Sequence, residues 1–259
     1  MLKRIALLTL LPLTLAALPT LLLAKDDPAD DPRVAAAGFL NFHPDLQYRG
    51  YGHEAYKKQQ FERAMALFRR AAYFADKPSQ GMIGEMYANG EGVTRDMALA
   101  YAWMDLAAER GYIGFVLLRE RYWKAMTEAE RERALAEGQA VYAQFGDAAA
   151  KPRFATQLRR GSKEGVGSRT GFTGNVSIII PGPSGEQTMD GSRLKRAGFW
   201  DADKYWAMQD RVWRNPAGGR VQVGDVEALG GQKPDASRIP ATRPDVDAPM
   251  PPVDPAPTP

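Results

Sequence analysis

His43 and His53 are the only histidines in the chain, and there is no cysteine to stand beside them. Zinc sites draw nitrogen and sulfur donors from short, characteristic spacings, and two imidazoles ten positions apart fit none of the common ones. No carboxylate cluster completes a donor set, so no metal is expected, and His53 reads as a helix-surface residue. Glu85, Glu91 and Asp96 are the acids that lie near one another. A pair of carboxylates can cleave a glycosidic bond, one donating a proton and the other acting as base or nucleophile, yet capping and loop bracing account for the same three residues. There is no nucleophile elbow, and Gly161-Ser162-Lys163 lacks the glycine spacing of a phosphate loop. Gly165-Val166-Gly167 does not open a helix after a strand, so it fails as a nucleotide fingerprint. The expectation is a protein with no catalytic residues and no cofactor.

The elements that would carry a function are helical. Met97, Ala100, Tyr101, Met104, Ala107, Ala108 and Gly111 recur at helical spacing and place small and large side chains alternately on one stripe, which another helix can approach and interlock with. Thr94 is placed to cap this helix, Asp96 to sit at the positive end of its dipole, and Gly111 to stop it in a left-handed conformation. Shifted back by 36 positions, Met97, Ala100, Trp103, Met104, Ala107 and Ala108 fall on Phe61, Ala64, Leu67, Phe68, Ala71 and Ala72, so the unit repeats. The preceding helices differ in spacing by four residues, which belong to the loop Asn89-Gly90-Glu91-Gly92-Val93, with two glycines able to take positive φ.

Gly84, Met86, Tyr87, Gly90, Glu91, Gly92, Val93, Asp96, Ala100, Trp103, Ala107, Ala108 and Gly111 together resemble the Sel1-like repeat, an extended-loop relative of the tetratricopeptide repeat. Residues 44–77, with Gly52, Tyr56, Phe61, Ala64 and Ala71, are more similar to an ordinary tetratricopeptide unit, and 112–145 to a degenerate one with Arg119 where the repeat has glycine. The resemblance implies a helical solenoid that binds proteins, often in bacterial envelopes, without chemistry of its own. Helices are expected at about 45–58, 61–75, 79–89, 94–110, 113–125 and 128–145, the last opened by a Thr127/Glu130 capping box. The expected fold is mainly α: a short solenoid of about three antiparallel helix pairs over 44–146, with a small irregular β-containing C-terminal extension over 147–229.

Lys3 and Arg4 precede an apolar run from Ile5 to Ala24, which reads as a Sec-type export signal over 1–24, cleaved before Lys25. Retained, it would be a membrane anchor, and Pro12 and Pro19 argue against that. The mature protein is then periplasmic or secreted, with 25–43 as a linker. Its formal charge of +3 falls to near neutrality once Lys3 and Arg4 are removed, and the remaining charges are interspersed, so nothing suggests nucleic acid as a partner.

Beyond residue 147, Val176 to Ile180 is a β-prone run whose best partner is 220–226, and the two are expected to pair as a flap against the helices. The segment from Phe199 to Trp213 holds three of the five tryptophans. Trp200, Tyr205, Trp206 and Trp213 could dock as a cap on the last repeat or serve as a binding hot spot. Proline density from Gly230 to Pro259 predicts a disordered tail. The functional expectation is a non-catalytic adaptor for an unidentified envelope protein. The alternative is a cell-wall glycan-binding or cell-wall-active protein that uses the aromatic segment.

Overall fold

The computed structural model describes residues 39–164, 177–182, 185–190, 197–214 and 237–253. The expected signal and most of the linker lie outside the described residues. A 3₁₀ turn, Phe39–Phe42, leads into seven successive helices: α1 (Pro44–Lys57), α2 (Phe61–Tyr73), α3 (Lys77–Asn89), α4 (Met97–Ala107), α5 (Ile113–Ala125), α6 (Glu128–Phe145) and α7 (Asp147–Glu164). A hairpin of β1 (Ser177–Gly182) and β2 (Gly185–Asp190) and two further helices, α8 (Ala197–Trp200) and α9 (Ala202–Arg214), follow.

The 36-residue register is visible in the fold, because α2 begins at Phe61 and α4 at the equivalent Met97. Their equivalent stripe residues Ala64, Phe68, Ala71 and Ala72, and Ala100, Met104, Ala107 and Ala108, are all fully buried. The partner helix in each pair approaches through a glycine. A Cβ on Gly52 would lie 2.6 Å from the Phe68 ring, and one on Gly84 would lie 3.1 Å from the Ala100 carbonyl oxygen. The unequal loops also behave as their sequences dictate. Gly90 and Gly92 take φ of 76° and 68°, Val93 packs on the core, and Gly111 stops the chain at φ 70° after a single 3₁₀ turn.

Asp96, rather than Thr94, is the N-cap of α4. Its carboxylate accepts from the amides of Ala98 and Leu99, which leaves Thr94 exposed and the helix starting three residues later than expected. The Thr127/Glu130 capping box forms as the spacing predicts.

The third pair departs from the repeat. α5 and α6 both pack chiefly on α4 rather than on each other. Arg119 stands where the repeat has glycine; its side chain is buried against Asp105 of α4, 3.6 Å away, and Glu120. A long cation in that position needs acids around it, and it cannot give the close backbone approach that a glycine gives. The array is therefore two repeat pairs followed by two helices that flank the second.

α7 lies beyond the six helices expected from the sequence and runs through Pro152. The proline sits in its second turn, and Ala150, Phe154 and Leu158 line up behind it as a buried stripe facing Tyr205 and Trp206. The end of the expected linker is core as well, with Phe39 and His43 buried against Phe199 and Trp200.

The expected strand partner, 220–226, lies outside the described residues, and the isoleucine-rich run pairs instead with its neighbour in a hairpin that aligns Ser177 with Asp190. Helices α7 to α9 of this extension pack on the repeats and on one another. A two-residue connection makes the local pairing entropically cheaper than closing a loop of some forty residues.

The tail is also corrected. Residues 237–253 lie extended along the helices, with Ile239 and Ala248 buried, so this stretch of the proline-rich tail is an ordered strap. Proline removes donors but leaves carbonyls, and the helices supply the donors that order it.

Candidate protein-interaction surface

The aromatic segment is spent on the chain's own packing. α9 packs against the N-terminal ends of α1 and α5 and against α7. The Tyr205 hydroxyl donates to the Asp45 carboxyl group at the start of α1. Tyr112, just before α5, donates to Asp210 at 2.6 Å. Trp213 stacks on Phe115 with centroids 6.2 Å apart and lies 5.9 Å from the Arg49 guanidinium. Trp206 sits among Phe154, Arg110 and Lys151, with the Arg110 guanidinium 4.4 Å from its ring. Trp200 packs edge-on to Phe39, Phe42 and His43. Tyr205 and Trp206 are buried, so of the four expected hot-spot residues these two are closed to a partner, and Trp200 and Trp213 are half-buried. Large aromatic rings bury best against a ready-made apolar and cationic surface, and the repeat ends provide one.

A buried ionic seam holds this cap in place. Arg110 donates twice to Asp147, at 2.7 and 2.8 Å, and Lys77 reaches Asp147 at 3.1 Å as well as Glu109. Burial opposes ionisation of Asp147, but Lys77, Arg110 and Lys151 outweigh it and hold the carboxyl well below the usual range. Nearby, burial first and Asp76 second push Asp45 up to about 8, against the pull of Tyr205 and Arg49. The cleft between α9 and the repeats holds about 10 Å³, room for about one water and far below the several hundred Å³ of a small-molecule site.

Each residue considered for chemistry has a local role. His43 is buried between the carbonyls of Phe39, 3.1 Å from Nδ1, and Phe199, 2.9 Å from Nε2. His53 is half-buried rather than fully exposed: its ring meets Phe68 edge-on, and burial lowers its pKa to about 4. Tyr56 donates to Glu91 at 2.8 Å, while burial and then Glu91 raise the Glu85 carboxyl. Asp96 is committed to its cap and to Arg133. Among the described residues no three His, Asp or Glu gather as a metal site, and no helix is long and apolar enough to cross a membrane.

Gly84 admits the backbone of α4, Ala100, Ala107 and Ala108 are buried, and Trp103 meets Phe145 at 4.8 Å. Tyr87 accepts from Arg69 of the preceding pair. A Cβ on Gly92 would lie 2.5 Å from the Phe61 carbonyl carbon, so the extended loop rests on the first turn of α2. A sequence model of the Sel1 repeat matches residues 47–73 and 78–112. The chain carries two Sel1 repeats. The first unit is thus matched by the Sel1 model too, although its connection, 58–60, lacks the extended loop. No curated protein and no solved structure matches the chain.

The strap is an ordered element that composition concealed. Ser237 donates to Asp105, which also accepts from Tyr142 at 2.8 Å. Arg238 makes two bonds of 2.7 Å to Glu120 and lies 4.8 Å from the Trp123 ring. Ile239 fills the space over Gly138, where a Cβ would come within 2.5 Å of its side chain. Further along, Arg153 donates to the carbonyls of Asp245 and Val246, Tyr73 to that of Ala248 at 2.7 Å, and Arg70 to that of Pro251 at 2.9 Å. In sequence the pair Arg238-Ile239 lies among prolines, between Pro234 and Pro240.

Proposed function

We propose that this protein is an exported, non-catalytic interaction module of the bacterial envelope, an adaptor or regulator that binds another protein. Two Sel1 repeats carry the reading, since such repeats mediate protein–protein interaction and are typically non-catalytic. The basic start and apolar run of residues 1–24 support export. The aromatic segment supports a protein partner over a glycan, because its rings are engaged within the fold. Surface remains on the repeat side: Ile113 and Leu117, one turn apart on α5, are 54% and 36% exposed, and Tyr51 on α1 is 54% exposed.

The test is fractionation of cells with N-terminal sequencing, followed by site-specific photo-crosslinking from Tyr51, Ile113 and Leu117. A periplasmic protein beginning at Lys25 and one discrete crosslinked protein are expected. A protein that stays in the cytoplasm overturns export, and absence of any crosslink from all three positions overturns the adaptor role.

A further inference from the structure

The strap is held mainly through its backbone. Arg70, Tyr73 and Arg153 donate to its carbonyls, and Gln144 reaches that of Pro249 at 3.4 Å. One strap amide, that of Asp245, donates to the helices, to the Ala143 carbonyl at 2.7 Å. A surface that offers donors and asks for almost none in return suits a chain rich in proline, which keeps its carbonyl and lacks the N–H. Pro240, Pro244, Pro249, Pro251 and Pro252 all lie in the bound stretch. This is the chemistry by which extended proline-rich segments are recognised, with a preformed backbone that loses little entropy on docking.

Selectivity resides at one end. Arg238 is clamped between the Glu120 carboxylate and the Trp123 ring, and Ile239 enters the gap that Gly138 leaves. The rest is shallow, with Val246 and Met250 each 42% exposed. A ligand with two anchors and an exposed remainder is held firmly enough to occupy its site and weakly enough to exchange.

We propose that the surface running from Glu120 and Trp123 to Arg70 is a receptor for an extended, proline-rich segment of a partner protein, and that residues 237–253 are its resident occupant, which the partner must displace. The proposal rests on the protein-binding reading above and names the partner's chemistry. Covalent attachment gives the resident strap an effective concentration of roughly millimolar, so a free peptide of equal intrinsic affinity gains little access to the intact chain.

The probe is a fluorescein-labelled synthetic peptide of residues 236–254, titrated into the full-length protein and followed by fluorescence anisotropy. Two variants open the strap in opposite ways. Ile239→Asp removes the anchor from the strap and leaves the receptor intact. Gly138→Leu fills the receptor's pocket and leaves the strap's sequence intact. Ile239→Asp is expected to bind the peptide at least tenfold more tightly than the unaltered chain, and Gly138→Leu no more tightly than it. Arg238→Glu, which sets a carboxylate against Glu120, gives the same gain by a second route should Ile239→Asp lose its helical circular dichroism. The proposal is overturned if neither strap variant gains affinity, or if Gly138→Leu gains as much, since that is general exposure of apolar surface. It is also overturned if light scattering shows a dimer of the unaltered chain that Gly138→Leu dissolves, which would make a second copy the occupant. Failure here with a crosslink retained from Ile113 or Leu117 would leave the adaptor reading standing and move its site to α5.

Discussion

Replacing Gly92 by alanine tests whether the extended loop braces the neighbouring repeat or merely joins two helices. Gly92 has φ of 68°, and the new Cβ would meet three backbone atoms of the adjacent repeat: the Phe61 carbon at 2.5 Å, the Glu62 nitrogen at 2.6 Å and the Phe61 oxygen at 2.8 Å. Backbone cannot swing aside as a side-chain tip can. Gly111 is the control, for its φ is 70° but nothing lies within 4 Å of its Cβ position. A left-handed alanine costs roughly 1–2 kcal/mol, and loss of glycine's freedom in the unfolded chain returns about 0.4–1 kcal/mol. Gly111→Ala should therefore lose about 1 kcal/mol, from the same balance. Gly92→Ala adds overpacking of about 1–3 kcal/mol and should lose roughly 2–4 kcal/mol. Gly90→Ala, whose Cβ would be 3.3 Å from that of Arg95, falls between them. Urea unfolding followed by circular dichroism gives the three values, provided the denaturant slope is common to all. If Gly92→Ala and Gly111→Ala agree within about 0.5 kcal/mol, a difference expected of independent surface sites, the loop does not brace α2 and the reasoning fails.

Asp96→Ala should destabilise by about 1 kcal/mol through loss of the α4 cap, and Thr94→Ala by almost nothing; the reverse order in urea unfolding would restore Thr94 as the cap. Asp45, pushed up to about 8, keeps its proton in the folded chain while the unfolded carboxyl ionises near 4. The folded state then binds more protons at Asp45 between those values, so the Asp45 contribution to stability falls as pH rises through that window. Asp45→Asn should flatten that fall in thermal unfolding, and curves parallel to the unaltered protein would refute it. At the acid end, His43 and His53 are lowered to about 4 by burial. Their contribution is complete above about pH 6.5 and is lost as pH falls towards 4; two histidines outweigh the opposite contribution of Asp45, so a net loss of stability is expected there in thermal unfolding. Trp206→Ala should cost about 3–5 kcal/mol of global stability because it empties the seam between α7 and α9; unchanged unfolding would return that ring to the list of partner contacts.

The elements whose determinants lie within one turn or one repeat were legible in the chain. The alanine stripe at 100, 107 and 108, the positive φ of Gly90, Gly92 and Gly111, and the Thr127/Glu130 box each depend on neighbours a few residues away, and all take the expected form. Errors arose where two local signals competed. Thr94 and Asp96 are both cap residues, and packing of Met97 and Ala98 into the core decided where the helix starts. Pro152 lies inside α7, and the buried stripe of Ala150, Phe154 and Leu158 carries the helix through it.

The candidate site itself was least legible. The amino-acid sequence determined by its own spacing the paired helices, their glycine contacts and the braced loop. Only the tertiary structure decided that Tyr205 and Trp206 are buried and that a proline-rich tail lies ordered on the helices. Arg70 reaches Pro251, and Arg238 reaches Glu120, across well over a hundred residues. A strap whose hydrogen bonds are supplied by another surface carries no periodicity of its own, because nothing in its spacing has to bury a face. Its order is a property of the surface it lies on, and that surface exists only once the repeats have stacked.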